Sequence, residues 1–152
     1  MLKPKDENAQ RIIKYFNDFS PEKMEILDLF YDSNVEFIDP AVKLKGLSDL
    51  KDYYAAVYKN VKTIHFNFHE IHKDDDTYCA TYTLTLLVKG LNGGKKYSVE
   101  GMSVLKFNKK NLLSYHRDYV DLGAMVYEKL PVLGTMIRVV KKQLAHGFKH
   151  SH

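Results

Sequence analysis

His116-Arg117-Asp118-Tyr119-Val120-Asp121-Leu122 sets three ionisable side chains in a row, inside a stretch that otherwise reads as a β-strand. Alternation along a strand gives His116, Asp118 and Val120 one face and Arg117, Tyr119 and Asp121 the other. An imidazole and a carboxylate two residues apart on one face need water or specific partners, because an unpaired buried carboxylate is costly. The His116 face is read as the inner, concave one. Arg117 is expected to point outward and pair with an acid.

Outward from this strand the period-two pattern continues. Lys109-Lys110-Asn111 turns back into a strand from Tyr97 to Phe107, and Gly90 to Gly94 makes a hairpin loop before it. Tyr78, Ala80, Tyr82, Leu84 and Leu86 alternate with threonines, and across the Asp74-Asp75-Asp76 turn Ile64, Phe66 and Phe68 alternate with His65, Asn67 and His69. The first sixty residues carry helical spacing instead. Ala9, Ile12, Ile13, Phe16 and Phe19 mark a helix over about 7–19, with Tyr15 at the margin of its apolar stripe. Ser20-Pro21-Glu22 opens a second helix, expected to end near Asp32-Ser33. Val35 to Ile38 is a short strand stopped by Asp39-Pro40, and a third helix follows Gly46 with Leu47, Leu50, Tyr54, Val57, Tyr58 and Val61 inward. Helices followed by four long, mostly antiparallel strands predict an α+β fold in which the helices cover the concave face of a strongly curved sheet.

The chain has 152 residues, 28% of them charged, with a net charge of +4 concentrated toward the C-terminus, so one domain is the natural expectation. That charge makes no case for nucleic acid. Cys79 is the only cysteine, which excludes an intrachain disulfide. No apolar run approaches the roughly 18 residues of a membrane span, and the N-terminus lacks a signal-peptide core, so a cytoplasmic protein is expected. The domain is read as 1–130. A basic amphipathic helix after Pro131 and a His-rich solvated tail to residue 152 are assigned to the same unit. Leu133, Met136, Ile137, Val140 and Leu144 line one side of this helix, and Arg138, Lys141 and Lys142 the other. Its apolar side is expected to close one end of the domain or dock on a subunit, with its cationic side in water. Contact with an anionic membrane surface is the disfavoured alternative.

The order of these elements resembles the nuclear transport factor 2-like, or SnoaL-like, superfamily of α+β cones. The landmarks are Phe37-Ile38-Asp39-Pro40, Gly46, the His116 to Leu122 run and Leu130-Pro131-Val132-Leu133-Gly134. The resemblance implies a cone with a pocket between helices and sheet, and a homodimer through the outer sheet face. Against ketosteroid isomerase, Tyr15 and Asp39 are similar to the oxyanion tyrosine and the base, 24 residues apart, while Ser103 stands where that enzyme has its second oxyanion donor. Against limonene epoxide hydrolase, Asp118 is similar to one catalytic aspartate, but Leu84 and Leu86 stand where the arginine and second aspartate belong. One carboxylate of each design is present and neither design is complete.

Asp39, Asp118, His116 and Tyr15 are therefore the candidate catalytic residues, expected to border one cavity. A desolvated carboxylate at the rim of an apolar cone can act as a general base, although Asp before Pro also forms a simple turn. His116 and Asp118 form either a proton-transfer site or a structural polar pair. Tyr54, Tyr58, Phe66, Phe68, Tyr82, Leu84, Leu86 and Ser103 are the expected ligand-binding residues. His65, Asn67, His69 and His72 are expected to face solvent or a dimer partner, and neither a metal nor a cofactor is expected. The partner class is a small apolar ligand bearing oxygen, of steroid, polyketide or terpenoid size. Cofactor-independent isomerisation, cyclisation or hydration is one reading; a non-catalytic ligand-binding or protein-interaction module is the other.

Overall fold

One carboxylate fixes the start of the first helix and ties it to the sheet. Asp6 Oδ1 accepts the Ala9 amide at 3.0 Å, capping α1 (Glu7–Asp18). The same carboxyl group takes the Tyr78 hydroxyl at 2.8 Å and the Lys73 ammonium at 2.9 Å. Lys73 is the largest influence and the helix amide the next; together they hold the Asp6 carboxyl at about 2. The helix then buries Ala9, Ile12, Tyr15 and Phe16 against the sheet.

The structure, a computed structural model, describes residues 4–149. After α1 and a 3₁₀ turn (Pro21–Lys23) come α2 (Ile26–Phe30), β1 (Tyr31–Ile38), β2 (Lys43–Lys45), α3 (Leu47–Tyr58), β3 (Val61–Asp74), β4 (Thr77–Val88), β5 (Tyr97–Phe107), β6 (Leu113–Val120), α4 (Leu122–Met125), a 3₁₀ turn (Tyr127–Lys129) and α5 (Pro131–Lys149). The strands form one curved, unclosed sheet in the order β2-β1-β6-β5-β4-β3. All neighbours are antiparallel except β1 and β6, which run parallel with Phe37 opposite His116 and Ile38 opposite Arg117. This parallel pair places the end of β1, and so Asp39, beside Asp118. Alternation holds along β4, where Tyr78, Ala80, Tyr82, Leu84 and Leu86 are all buried. At Gly101 on β5 the packing leaves no room for a side chain: a Cβ there would lie 2.6 Å from the Tyr82 ring and 2.9 Å from Val120.

The second helix is shorter than its spacing predicts. It ends at Phe30, and Tyr31 already belongs to β1, where it pairs with Leu113. Burying the Tyr31 ring against His116 and pairing its backbone in the sheet outweigh one more helical turn. Val57 is exposed and Val61 opens β3, so neither completes the inner face of α3. Edge strand β2 carries two exposed lysines, a short and charged edge that discourages further strand pairing. Pro131 starts α5 at its first position, as its fixed φ and missing N–H allow.

The orientation of α5 corrects the expectation that its apolar side closes the cone. Lys141 pairs with Asp121 at 3.2 Å and with Glu128 at 2.5 Å, and Arg138 donates to the Glu128 carbonyl at 2.9 Å. A Cβ on Gly134 would lie 2.3 Å from that same carbonyl oxygen, so only glycine allows this approach. The polar side thus meets the body, and Val132, Met136 and Leu144 are 77%, 61% and 73% exposed. No described helix is long and apolar enough to cross a membrane. The tail from His150 onward lies outside the described residues.

Replacing Asp6 by Ala is expected to lower stability by about 1 kcal/mol, the usual loss for a helix cap. The folded carboxyl titrates near 2 and the unfolded one near 3.8, so this contribution is complete above about pH 4 and fades as pH falls toward 2. Urea unfolding of wild type and Asp6→Ala should give a gap at pH 6 that narrows at pH 3.

Candidate active site at the ends of β1 and β6

His116 is the polar centre of an aromatic interior. Its side chain is 1% exposed and lies among Phe16, Phe37 and Tyr31, with the Tyr31 ring stacked parallel to it. A ring sealed this way needs partners for both nitrogens. Nδ1 meets the Tyr31 hydroxyl at 2.6 Å, and Nε2 meets Asp118 Oδ1 at 2.7 Å. Behind Tyr31, the Tyr54 hydroxyl lies at 3.3 Å. A second branch reaches the same carboxylate: Ser103 donates to Asp118 Oδ1 at 2.5 Å, and Tyr82 lies 3.0 Å from Ser103. Strand register makes this possible, because Ser103 on β5 is directly opposite Asp118 on β6. Burial pushes the hydroxyls of Tyr31, Tyr54 and Tyr82 well above the ordinary tyrosine range, so they stay protonated as donors.

Asp118 is thus the outer terminus of two buried hydrogen-bond branches. Its side chain is 22% exposed, and Oδ1 takes both bonds while Oδ2 has no hydrogen-bond partner among the described residues. With the His116 proton on Nε2, Tyr31 donates to Nδ1 and every donor in the chain points toward Asp118. If the ring gains a proton, Nδ1 donates to Tyr31, whose own proton turns toward Tyr54. The network remains satisfied in both states, which suits a group that exchanges protons at Asp118.

Asp39 shares a cleft of about 370 Å³ with Asp118, lined also by Ile38, Pro40, Arg117, Tyr119 and Val120. Its carboxylate is more heavily engaged. Oδ1 accepts the Ala41 and Val42 amides at 2.8 Å each, and Oδ2 accepts the Tyr53 hydroxyl. Asp39 therefore builds the turn between β1 and β2 as well as lining the cleft. Tyr53 titrates above the ordinary range, through burial first and its bond to Asp39 second.

The other expected residues lie elsewhere. Tyr15 is buried, stacked on Phe30 at a 4.0 Å ring separation, and does not line the cleft. Phe66 and Phe68 pack edge-on against Phe16 and Tyr82, and Leu84 and Leu86 are buried further along β4. These side chains pack into one aromatic core with Asp118 at its margin, and the cleft that Asp39 and Asp118 share is lined by neither His116 nor Tyr15. Tyr58 borders a separate cavity of about 480 Å³ between Phe19-Ser20-Pro21 and the start of β3. Arg117 stacks over the Tyr119 ring at 4.7 Å and forms no ion pair among the described residues, because its neighbour two positions along the outer face is aromatic. On that face His69 lies 2.7 Å from Thr83 and 3.5 Å from Glu100, and His65, Asn67 and His72 are exposed. Tyr31 and Tyr53 were not singled out by the sequence. Nothing in their spacing separates them from ordinary core tyrosines.

Residues 12–116 match the SnoaL-like domain family, and the chain belongs to that family. Among solved structures it is similar to a protein from Jannaschia sp. CCS1 assigned as a SnoaL-like polyketide cyclase, with TM-score 0.69, 11% identity and coverage of 81% of this chain and 94% of that one. A Catenulispora acidiphila protein with a ketosteroid isomerase-like fold, solved in complex with trimethylamine, gives TM-score 0.69, 15% identity and coverage of 84% and 96%. An NTF2-like protein of unknown function from Burkholderia pseudomallei gives TM-score 0.67, 12% identity and coverage of 88% and 96%. No curated protein matches this sequence. At these identities the likeness establishes the fold.

Tyr31→Phe deletes the donor to His116 Nδ1 inside the core, and is expected to cost about 1–3 kcal/mol for the unsatisfied nitrogen. Tyr54→Phe removes the longer 3.3 Å contact at the end of the branch and leaves both His116 nitrogens partnered, so it should cost clearly less. Denaturant unfolding of the two variants tests this order.

Proposed function

We propose that the protein binds a small apolar, oxygen-bearing molecule at the Asp39–Asp118 cleft and transfers a proton through Asp118 without a cofactor. The observation that carries this reading is the asymmetry of the Asp118 carboxylate. One oxygen is held by His116 and Ser103, and the other is open to a cleft of a size suited to a small ligand. Asp118 takes or returns a proton at a carbon beside a carbonyl, or at an attacking water. His116 and Tyr31 fix the orientation of the carboxylate and share its proton. Asp39 holds Tyr53 and shapes the mouth, since three donors already occupy its oxygens. Polyketide-type and terpenoid ketones are the substrate class, in line with the name carried by the Jannaschia relative. The unit is a homodimer through the outer sheet face around His69, Thr83 and Glu100.

A non-catalytic binding module is the second reading, favoured by one observation: the cone is filled with side chains and the cleft lies at its margin. Proton–deuterium exchange separates the two. Incubated in D₂O with a panel of cyclic ketones, wild type is expected to accelerate exchange at the α-carbon, and Asp118→Asn to lose about 10²–10⁴-fold of that rate. Asp39→Asn should weaken binding with a smaller loss of turnover. Ligand binding with no exchange above background would establish the binding-module reading, and full exchange by Asp118→Asn would take the proton transfer away from Asp118.

A further inference from the structure

Helix α5 is attached to the body by its polar side and leaves its apolar side uncovered. Val132, Leu133, Met136, Val139, Val140 and Leu144 are each at least 40% exposed. At 100° per residue they spread over an arc of about 140°, wider than the narrow seam of a coiled coil. The opposite side carries Arg138, Lys141 and Lys142. All 19 acidic residues of the chain lie before residue 131, where 19 of the 23 basic ones offset them. The body is therefore neutral, and the whole net charge of +4 belongs to α5. The span that matches the SnoaL-like domain ends at His116, so this helix is no part of that match.

We propose that α5 lies flat on an anionic lipid surface, with its apolar side among the acyl chains and the domain held above it. Two observations select lipid over a second copy of the chain. The apolar arc is broad and continuous, which fits a plane. The helix holds no carboxylate and carries the whole net charge of +4, so an anionic surface complements it where a second, equally cationic helix does not. The latch through Lys141 and Arg138 to Asp121 and Glu128 sets the domain on the water side. Gly134, pressed on the Glu128 carbonyl, holds the helix close to the body. Lys142, exposed and in no ion pair among the described residues, remains to attract the headgroups within a Debye length of about 10 Å.

Co-sedimentation of the full chain with sucrose-loaded vesicles tests the proposal. The protein is expected to pellet with phosphatidylcholine vesicles containing about one third phosphatidylglycerol, at least about tenfold more strongly than with phosphatidylcholine alone, and to be released by high salt. Met136→Glu with Leu144→Glu should abolish pelleting and leave the thermal midpoint unchanged, because both side chains are already in water. Lys142→Glu should weaken pelleting. Equal binding to neutral vesicles, pelleting that survives Met136→Glu with Leu144→Glu, or no pelleting at all would overturn it. A concentration-dependent dimer in sedimentation velocity that the double variant breaks, with no vesicle binding, would assign the surface to a second copy.

Discussion

The hydrogen-bond requirement of one buried imidazole organises this molecule. His116 sits on the inner face of β6, where an aromatic core closes over it, and both its nitrogens must find partners there. The partner of Nδ1 is Tyr31, which explains why the chain leaves α2 at Phe30 and enters the sheet one residue later. The partner of Nε2 is Asp118, which fixes a carboxylate at the core margin. An unsatisfied nitrogen in that position costs about 1–3 kcal/mol, comparable with the gain from a few aromatic contacts. Satisfying it therefore constrains where β1 starts, which tyrosines line it, and how β6 sits beside β1.

The sheet was largely legible in the sequence because its inner and outer faces differ in polarity along much of β3 and β4. Tyr78 to Leu86 alternate with threonines, and parity alone puts His116 and Asp118 inside and Arg117 outside. What parity does not encode is how full the inside is. Tyr54, Phe66, Phe68 and Tyr82 are the same residue types whether they line a cavity or fill it. The difference lies in how far α1 settles into the sheet, and edge-on contacts from Phe16 to Phe66 and Phe68 close that space. The α2 boundary was hidden for a related reason: Met24, Leu27 and Phe30 keep helical spacing up to the residue where long-range pairing takes over.

The seat of α5 is hidden from the sequence at a different level. Its amphipathic pattern is plain, and a pattern of that kind says that the apolar side needs cover without saying where cover lies. The direction is set by Asp121 and Glu128, one the N-cap of α4 and the other in the following turn, which between them receive Lys141. Lys141 and the Ala124 amide, the amide first, hold the Asp121 carboxyl below its ordinary value, so both stay charged across the neutral range. Local ion pairing thus seats the helix polar side down, against the trend that hydrophobic patterning alone predicts.

Asp39 and Asp118 share a cleft and still differ in chemical capacity, and the difference comes from backbone rather than from charge. Asp39 follows the end of β1, where the chain reverses toward β2, and the free amides of Ala41 and Val42 claim one of its oxygens. Tyr53 claims the other. Asp118 lies within a regular strand whose amides are already directed at neighbouring strands, so its donors are side chains alone, both on one oxygen. A carboxylate saturated by amides is a structural pin. A carboxylate with one oxygen braced and one open is free to change protonation without disturbing the fold around it. The same strand end continues through Asp121 to the seat of α5, so only two residues separate the open carboxylate from the ion pair that orients the helix.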